Sequence, residues 1–458
     1  MSGFGLVLLS SVSLASGGLR MPSPPPPLCP LQAGVCAGSR YGQLPDGTIA
    51  LKCTPSDYGP NYEEHESRCD GMDNDCDGKT DQWWTPLTVL ESPHGNWPLT
   101  YTTIPGGFVI ATVNAAGIPF LRYRDLQGLQ IRPDVTFNDW NAGFVRSFSL
   151  ARTANGILLV IASRYVAATY WSPLDSDGLP LHALQAIPLP FPAGFVRSGA
   201  SSDGSRVLHL LTGDGAVDYP TQILGLTQDA AGNVIAGPAV VMNKAHDGQD
   251  RFIALRPVGT APDRFVMAAL EDTNHSPAPA YLRALPLSDS LQPTGPERTI
   301  QTFSDLGATL LPPSPTGEVP MFYQDREIVT STDSTVFVRL VPDVLAPVPD
   351  TSQVWLQATA WQISTTVAAS DQGPRLAWAA LQYTSETNTY HWGVRASGAS
   401  GQRNLDPASG ELLSPGTPVN QPFAVGISHA RPDAWTVLVS YTPMAGPSEL
   451  DAVTWCAP

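Results

Sequence analysis

The sequence predicts an all-β protein, and three observations predict it. Its 458 residues include 45 Pro and 40 Gly with only 14% charged residues, a composition of many turns and few exposed helices. Short apolar runs recur at long, regular intervals with Gly, Asp, Asn or Pro between them. No part of the chain carries the repeat of a convincing amphipathic helix.

At the start, MSGFGLVLLSSVSLASGG holds a short apolar run with Ser13 and Ala15 placed as at a cleavage site. Residues 1–18 are therefore expected to be a secretory signal, although no Lys or Arg precedes Arg20. Residues 19–30 are Pro-rich and are expected to form an extended spacer that belongs to no core. Five of the six cysteines, Cys29, Cys36, Cys53, Cys69 and Cys76, then crowd a segment with little apolar content. Such a segment cannot bury a core, so residues 29–84 are expected to be a small module stapled by disulfides in an oxidising compartment. Five cysteines cannot all pair among themselves. Cys456, near the other end, is expected to bond one of them, Cys29 or Cys36 for preference.

From residue 85 to 458 the texture is that of a repeat. The hexapeptide AGFVRS occurs at 142–147 and again at 193–198. Apolar strand centres begin at Phe108, Ile157, Arg206, Arg264, Val319, Arg375 and Trp435, 49 to 60 residues apart, and each is followed after a polar turn by a second strand. Units of this length with three or four antiparallel strands are propeller blades, so the expected fold is a seven-bladed β-propeller. The last unit supplies three strands, and the spare strand PLTVLES at 86–92 is expected to complete it and close the ring. A pair of β-sandwiches is the alternative; the long period and the duplicated hexapeptide fit it less well. WD and GH signatures are absent, as are Asp-rich calcium loops within the repeats.

The most specific chemistry lies between Cys69 and Asp81, in CDGMDNDCDGKTD. Asp73, Asp75 and Asp77 alternate, Gly78 follows, and Asp81 comes four residues after Asp77. In a calcium loop these are the positions whose oxygens converge on one cation around a glycine turn, with the Lys79 carbonyl as a further donor and Asp70 as an additional carboxylate. Trp84 stands where an EF-hand has its bidentate Glu and no flanking helix is predicted, so the loop is not an EF-hand. The metal ligands expected are thus Asp70, Asp73, Asp75, Asp77, Lys79 and Asp81, and the ion Ca2+, because hard carboxylate oxygens favour it over copper or zinc. No CxxC spacing supports a zinc site.

RCDGMDNDCDGKTD resembles the MopE-type metal-binding motif, CDGxDNDCDGxxDE, of secreted myxobacterial proteins, and the likeness covers roughly residues 29–82. QAGVCAG, Cys53 and the YEEHES run before Cys69 are similar to the usual lead-in. The motif is also similar to thrombospondin type 3 calcium loops, which implies calcium here. The family's final Glu is Gln82 in this chain.

A formal charge of −16 argues against a nucleic-acid partner, which needs clustered Lys and Arg. No later apolar stretch has the length of a membrane-spanning helix. GxSxG, HExxH, GxxxxGK[ST] and kinase motifs are absent, and the eight histidines are scattered; His209, inside RVLHLL, is expected to be buried in a blade. Trp97, Tyr170, Trp171, Trp378, Trp392, Trp435 and Trp455 lie mostly within strands and are expected to pack in the core. The functional expectation is a secreted, cell-surface or periplasmic calcium-binding protein, not an enzyme, whose propeller binds an extracellular glycan or protein ligand. The alternative is a propeller hydrolase or lyase acting on surface polysaccharide, which would need carboxylates, or a His and a carboxylate, converging at the channel.

Overall fold

The computed structural model describes residues 25–64, 66–78, 80, 82–89, 98–125, 128–213, 222–243, 251–272, 280–302, 308–311, 313–314, 316–328, 334–346, 353–360, 365–369, 376–384, 389–396, 412–413, 419–431, 434–443 and 449–456. The chain divides into two compact units, Met1–Asp81 and Gln82–Pro458. The second begins on Gln82 because a strand, Gln82–Val89, starts there, earlier than the Pro86 expected from the apolar pattern.

Among the described residues the second unit consists of seven four-stranded antiparallel sheets. Six of them use consecutive strands, over residues 100–136, 145–188, 193–243, 251–302, 308–360 and 365–413, taken as blades one to six. Blade seven is built from Val419–Arg431, Ala434–Pro443 and Glu449–Cys456, and Gln82–Val89 pairs with the last of these from Gln82↔Trp455 to Val89↔Glu449. One sheet thus holds both ends of the unit. The first strands of successive blades, from Thr100–Ile104 round to Val419–Arg431, each contact the next, and the last contacts the first. That cycle is a closed seven-bladed β-propeller, and two facing sandwiches would not produce it.

Why the central strands are mainly apolar on both faces follows from the ring. Alternation sends successive side chains to opposite faces of a sheet, and here both faces are covered. In blade one, Val109 and Ala111 pack with Phe148, Leu159 and Ile161 of blade two, whereas Phe108 and Ile110 pack with Leu438 and Leu450 of blade seven. Leu158 and Val160 then meet Val207 and Leu224, Leu208 and Leu210 meet Phe265 and Met267, and Val266 meets Met321. Each such side chain removed from water contributes about 1.5–3 kcal/mol. Hydrogen bonds add register between blades: Tyr123 Oη donates to Gly178 O at 2.9 Å, and Val196 N donates to Ser147 Oγ at 2.8 Å.

A second repeat signature lies in the turns. Asp125, Asp175, Asp229 and Ser288 occupy the same place after the third strand of blades one to four, and each side chain accepts the backbone N–H four residues on, at 2.8 to 3.2 Å. Three of these turns carry Gly at the next-to-last position, and Leu291 takes the same positive φ in the fourth. The Asp-x-x-Gly turn therefore marks blades one to three, with a Ser-x-x-Leu version in blade four.

The first unit contains little regular structure: a 3-10 turn Gly34–Cys36, a short helix Pro55–Tyr58, and isolated bridges Leu28↔Arg40 and Gln43↔Ile49. The end of the Pro-rich stretch, expected to stand outside any core, joins this unit. Cys29 is buried there and Tyr41 N donates to Pro27 O at 3.1 Å. Proline lacks a donor but keeps its carbonyl, which is the group used. The signal expected over 1–18 lies outside the described residues.

Candidate metal centre

Two disulfides frame the first unit, Cys29–Cys53 and Cys36–Cys76. Cys69 is also disulfide-bonded. The expectation that Cys29 or Cys36 pairs with Cys456 is corrected: both find partners inside the unit, where their loops close over 24 and 40 residues, and the side chain of Cys456 lies outside the described residues. The Cys36–Cys76 bond ties the 3-10 turn to the acidic loop. Val35 N donates to Asp73 O at 3.0 Å, and a Cβ on Gly34 would stand 2.1 Å from that same oxygen. Only glycine fits there, and its φ of +49° is one that other residues rarely adopt.

Within this frame three carboxylates converge. One oxygen each of Glu66, Asp73 and Asp75 lies within 4.8 Å of the others. Asp73 is buried and accepts Asp77 N at 3.1 Å on Oδ1 and Gly78 N at 3.0 Å on Oδ2. Asp75 is half-buried and accepts Asp77 N at 3.2 Å and Glu66 N at 3.3 Å. Glu66, 1% exposed, accepts Asn74 N at 2.8 Å on Oε2. Glu63 N donates to Asn74 O at 2.9 Å, so the two segments are laced together by backbone as well as side chain.

Hydrogen bonding alone leaves the cluster incomplete. Glu66 Oε1 and Asn74 Oδ1 are both buried, and neither accepts a hydrogen bond. Buried oxygens are ordinarily paired, because stripping them of water without replacement costs about 1–3 kcal/mol each. Burial holds the Glu66 carboxyl above the usual carboxylate range, and burial with the nearby charge of Asp77 raises Asp75. Crowded, desolvated carboxylates, one of which, Glu66, keeps a buried oxygen unpaired, make an arrangement that a hard cation would complete. Thiolate ligation is closed to it, since Cys29, Cys36, Cys53, Cys69 and Cys76 are all in disulfides.

The structure separates the residues that sequence placed together. Asp73 and Asp75 belong to the cluster. Asp70 is at the surface, where it accepts Met72 N at 3.0 Å and Asn74 Nδ2 at 3.2 Å and faces Arg68 at 3.8 Å. The Asp77 side chain is exposed, and its backbone N–H is what serves the cluster. Lys79, Asp81 and His65 lie outside the described residues. Glu66 was not foreseen as a member of this cluster. Its signal was the acidic run Glu63-Glu64-His65-Glu66, which precedes Asp73 inside the loop closed by Cys36–Cys76.

In the propeller, His209 is fully buried between blades two and three, with Nδ1 2.7 Å from Ser198 Oγ and its pKa pressed down to about 3 by burial. Trp171 is buried and Tyr170 packs edge-on against Trp140 at 4.9 Å. Side chains of Trp97, Trp378, Trp392, Trp435 and Trp455 lie outside the described residues.

Ring and acidic cluster together define the chain as two units, a disulfide-framed module and a β-propeller. No family model and no curated protein matches it. Solved structures that it resembles include the Dos1 propeller, at 12% identity over 82% of this chain and 89% of that one, with a TM-score of 0.43. The β-propeller domain of Myceliophteria thermophila Cps50 (Swd1) is 12% identical over 82% of this chain and all of the other, with a TM-score of 0.43. The WD40 domain of SCAP from fission yeast is 8% identical over 82% and 99%, with a TM-score of 0.42.

Proposed function

We propose that this chain is an extracellular or cell-envelope calcium-binding protein whose β-propeller is a binding and interaction domain. The observation that carries the calcium reading is the convergence of the Glu66, Asp73 and Asp75 carboxylates, with Oε1 of Glu66 buried and unpaired. All are hard oxygen donors, which is the donor set of Ca2+. Glu66, Asp73 and Asp75 would hold the ion, which would neutralise their crowded carboxylates, while Asp73 keeps the backbone of Asp77 and Gly78 turned toward the cluster. The disulfides are compatible with an oxidising compartment, and among the described residues no helix is long and apolar enough to cross a membrane.

Calorimetry of the oxidised full-length chain, with calcium and with EGTA, tests this reading. Calcium at a hundredfold excess over its Kd is expected to stabilise the first unit by about 2.7 kcal/mol and to leave the propeller transition in place. Identical scans in both conditions would sink it.

A further inference from the structure

Blades three, four and five repeat one small arrangement. In the turn after the third strand, Ala230, Asp289 and Val344 donate their N–H groups to Ser205 O, Asp263 O and Val319 O, at 3.1, 2.8 and 2.9 Å. These bonds put Asp289 and Val344 in equivalent places, and likewise Arg206 and Arg264, which open the second strands of blades three and four. Arg206 Nε lies 3.7 Å from Asp289 Oδ2, so an arginine of blade three faces an acid of blade four. One blade on, the matching residue is Val344, buried in the apolar contact between blades four and five. Arg264 has lost the acid that its counterpart keeps.

A cavity of about 300 Å³ lies at this place. Arg264, Val266, Pro286 and Arg298 line it from one face of blade four, as the register Val266↔Pro286 and Ala284↔Arg298 requires, and Leu345 of blade five lines it as well. Among the described residues no acid lines it, and Arg298 Nε is buried without a hydrogen bond. Acids on the neighbouring turns are engaged elsewhere. Asp289 faces Arg206, Glu297 accepts Arg283 Nε at 2.6 Å, and Asp343 accepts Val319 N and Leu345 N. Asp263 is exposed beside Arg264, and Asp305 and Asp350 of the flanking segments lie outside the described residues.

We propose that the cavity between blades four and five binds a small monocarboxylate with an apolar body, its carboxylate held by Arg264 and Arg298. The proposal rests on the reading of the propeller as a binding domain and is independent of the calcium cluster. Chemistry and size select this ligand. Between blades three and four the carboxylate comes from the chain, as Asp289; between blades four and five the ligand supplies it. Its two oxygens match the planar donors of arginine. Val266, Pro286, Pro296 and Leu345 offer the apolar body a surface without competing for its charge. A volume of about 300 Å³ is at the lower end for ligand cavities and suits a small molecule, not a polymer.

Titration calorimetry of the full-length chain in EGTA with phenylacetate, its neutral isostere phenylacetamide and inorganic phosphate tests the assignment. Phenylacetate is expected to bind, and the amide and phosphate to bind at least about tenfold more weakly. Arg264→Gln and Arg298→Gln are each expected to weaken phenylacetate about tenfold. Asp305→Asn and Asp350→Asn are expected to leave its affinity unchanged. No binding of phenylacetate, equal binding of the amide, or tighter binding of phosphate would each overturn the proposal. So would a gain of about tenfold in either aspartate variant, which would identify that acid as the arginines' own partner. Arg264 is exposed, so its variant folds whatever the fate of Arg298→Gln. Phenylacetate binding that survives Arg264→Gln in full would overturn this site and spare the wider reading of the propeller as a binding domain. Because EGTA removes calcium, a negative result here leaves the calcium reading standing, and failure of that reading leaves this one.

Discussion

Glu66 and Asn74 meet in a lopsided way: Oε2 of Glu66 accepts the Asn74 N–H at 2.8 Å, while its Oε1 and the Asn74 Oδ1 are buried and accept nothing. A buried carboxyl with one oxygen unpaired gives a variant two opposite effects. In EGTA, Glu66→Gln is expected to stabilise the first unit, because it removes a desolvated charge whose pKa burial already raises. With calcium present it is expected to destabilise the unit relative to wild type. Thermal melts in both conditions check the change of sign.

The two aspartates that follow should differ. Asp73 holds the N–H groups of both Asp77 and Gly78, whereas the Asp77 side chain is exposed. Hydrogen bonds to a charged acceptor contribute about 1.5–3 kcal/mol, so Asp73→Ala is expected to open the loop and Asp77→Ala to leave it closed. Amide hydrogen exchange at residues 77 and 78 reads the difference. Equal protection in the two variants would contradict it.

His209 gives the propeller a pH dependence of known sign. The unfolded imidazole takes up its proton near pH 6.5 and the buried one only near 3. Its neutral form is therefore compatible with full stability above pH 6.5, and stability falls as the pH drops from there toward 3, by about 1.4 kcal/mol per unit at most. Between pH 7 and 5 the propeller's melting temperature is expected to fall more steeply in wild type than in His209→Gln. Parallel profiles would show that the ring is not held neutral.

Much of the propeller was legible because its blades cover both faces of their central strands, which turns Phe108–Ala111 and Ile157–Ala162 into unbroken apolar runs. The closing strand was legible as a spare, yet its start was placed late: Trp83 and Trp84 follow the acidic motif directly and read as part of it. In the metal centre, alternation exposed Asp73 and Asp75. Glu66 stayed hidden, since nothing local distinguishes it from Glu63 and Glu64, and its approach is set by a fold that the Cys36–Cys76 bond frames. The Asp-x-x-Gly turns went unread because four residues with two fixed positions occur widely by chance.

Gly232 of blade three lies against Trp171 of blade two so closely that a Cβ would stand 1.8 Å from Cζ3 of the indole. Its φ of +89° also disfavours any side chain. Gly232→Ala is expected to cost about 2–4 kcal/mol, the sum of overpacking and left-handed strain. Denaturant unfolding of the propeller measures it, and a loss below the error of the fit would contradict the packing described.

Peptide mapping under non-reducing conditions is expected to recover Cys29 with Cys53 and Cys36 with Cys76. Cys69 is expected in a disulfide as well. A free thiol at any of Cys29, Cys36, Cys53, Cys69 and Cys76 would contradict this framework.

Calcium content is the most direct test of the central claim. The purified, oxidised full-length chain and its Glu66→Gln and Asp73→Asn variants are dialysed against calcium, and the bound metal is measured by atomic emission. The account predicts about one ion per wild-type chain at free calcium above the extracellular range of roughly 10⁻⁴–10⁻³ M, and little or none in either variant. Wild-type protein without calcium, or variants that retain it in full, would contradict the account.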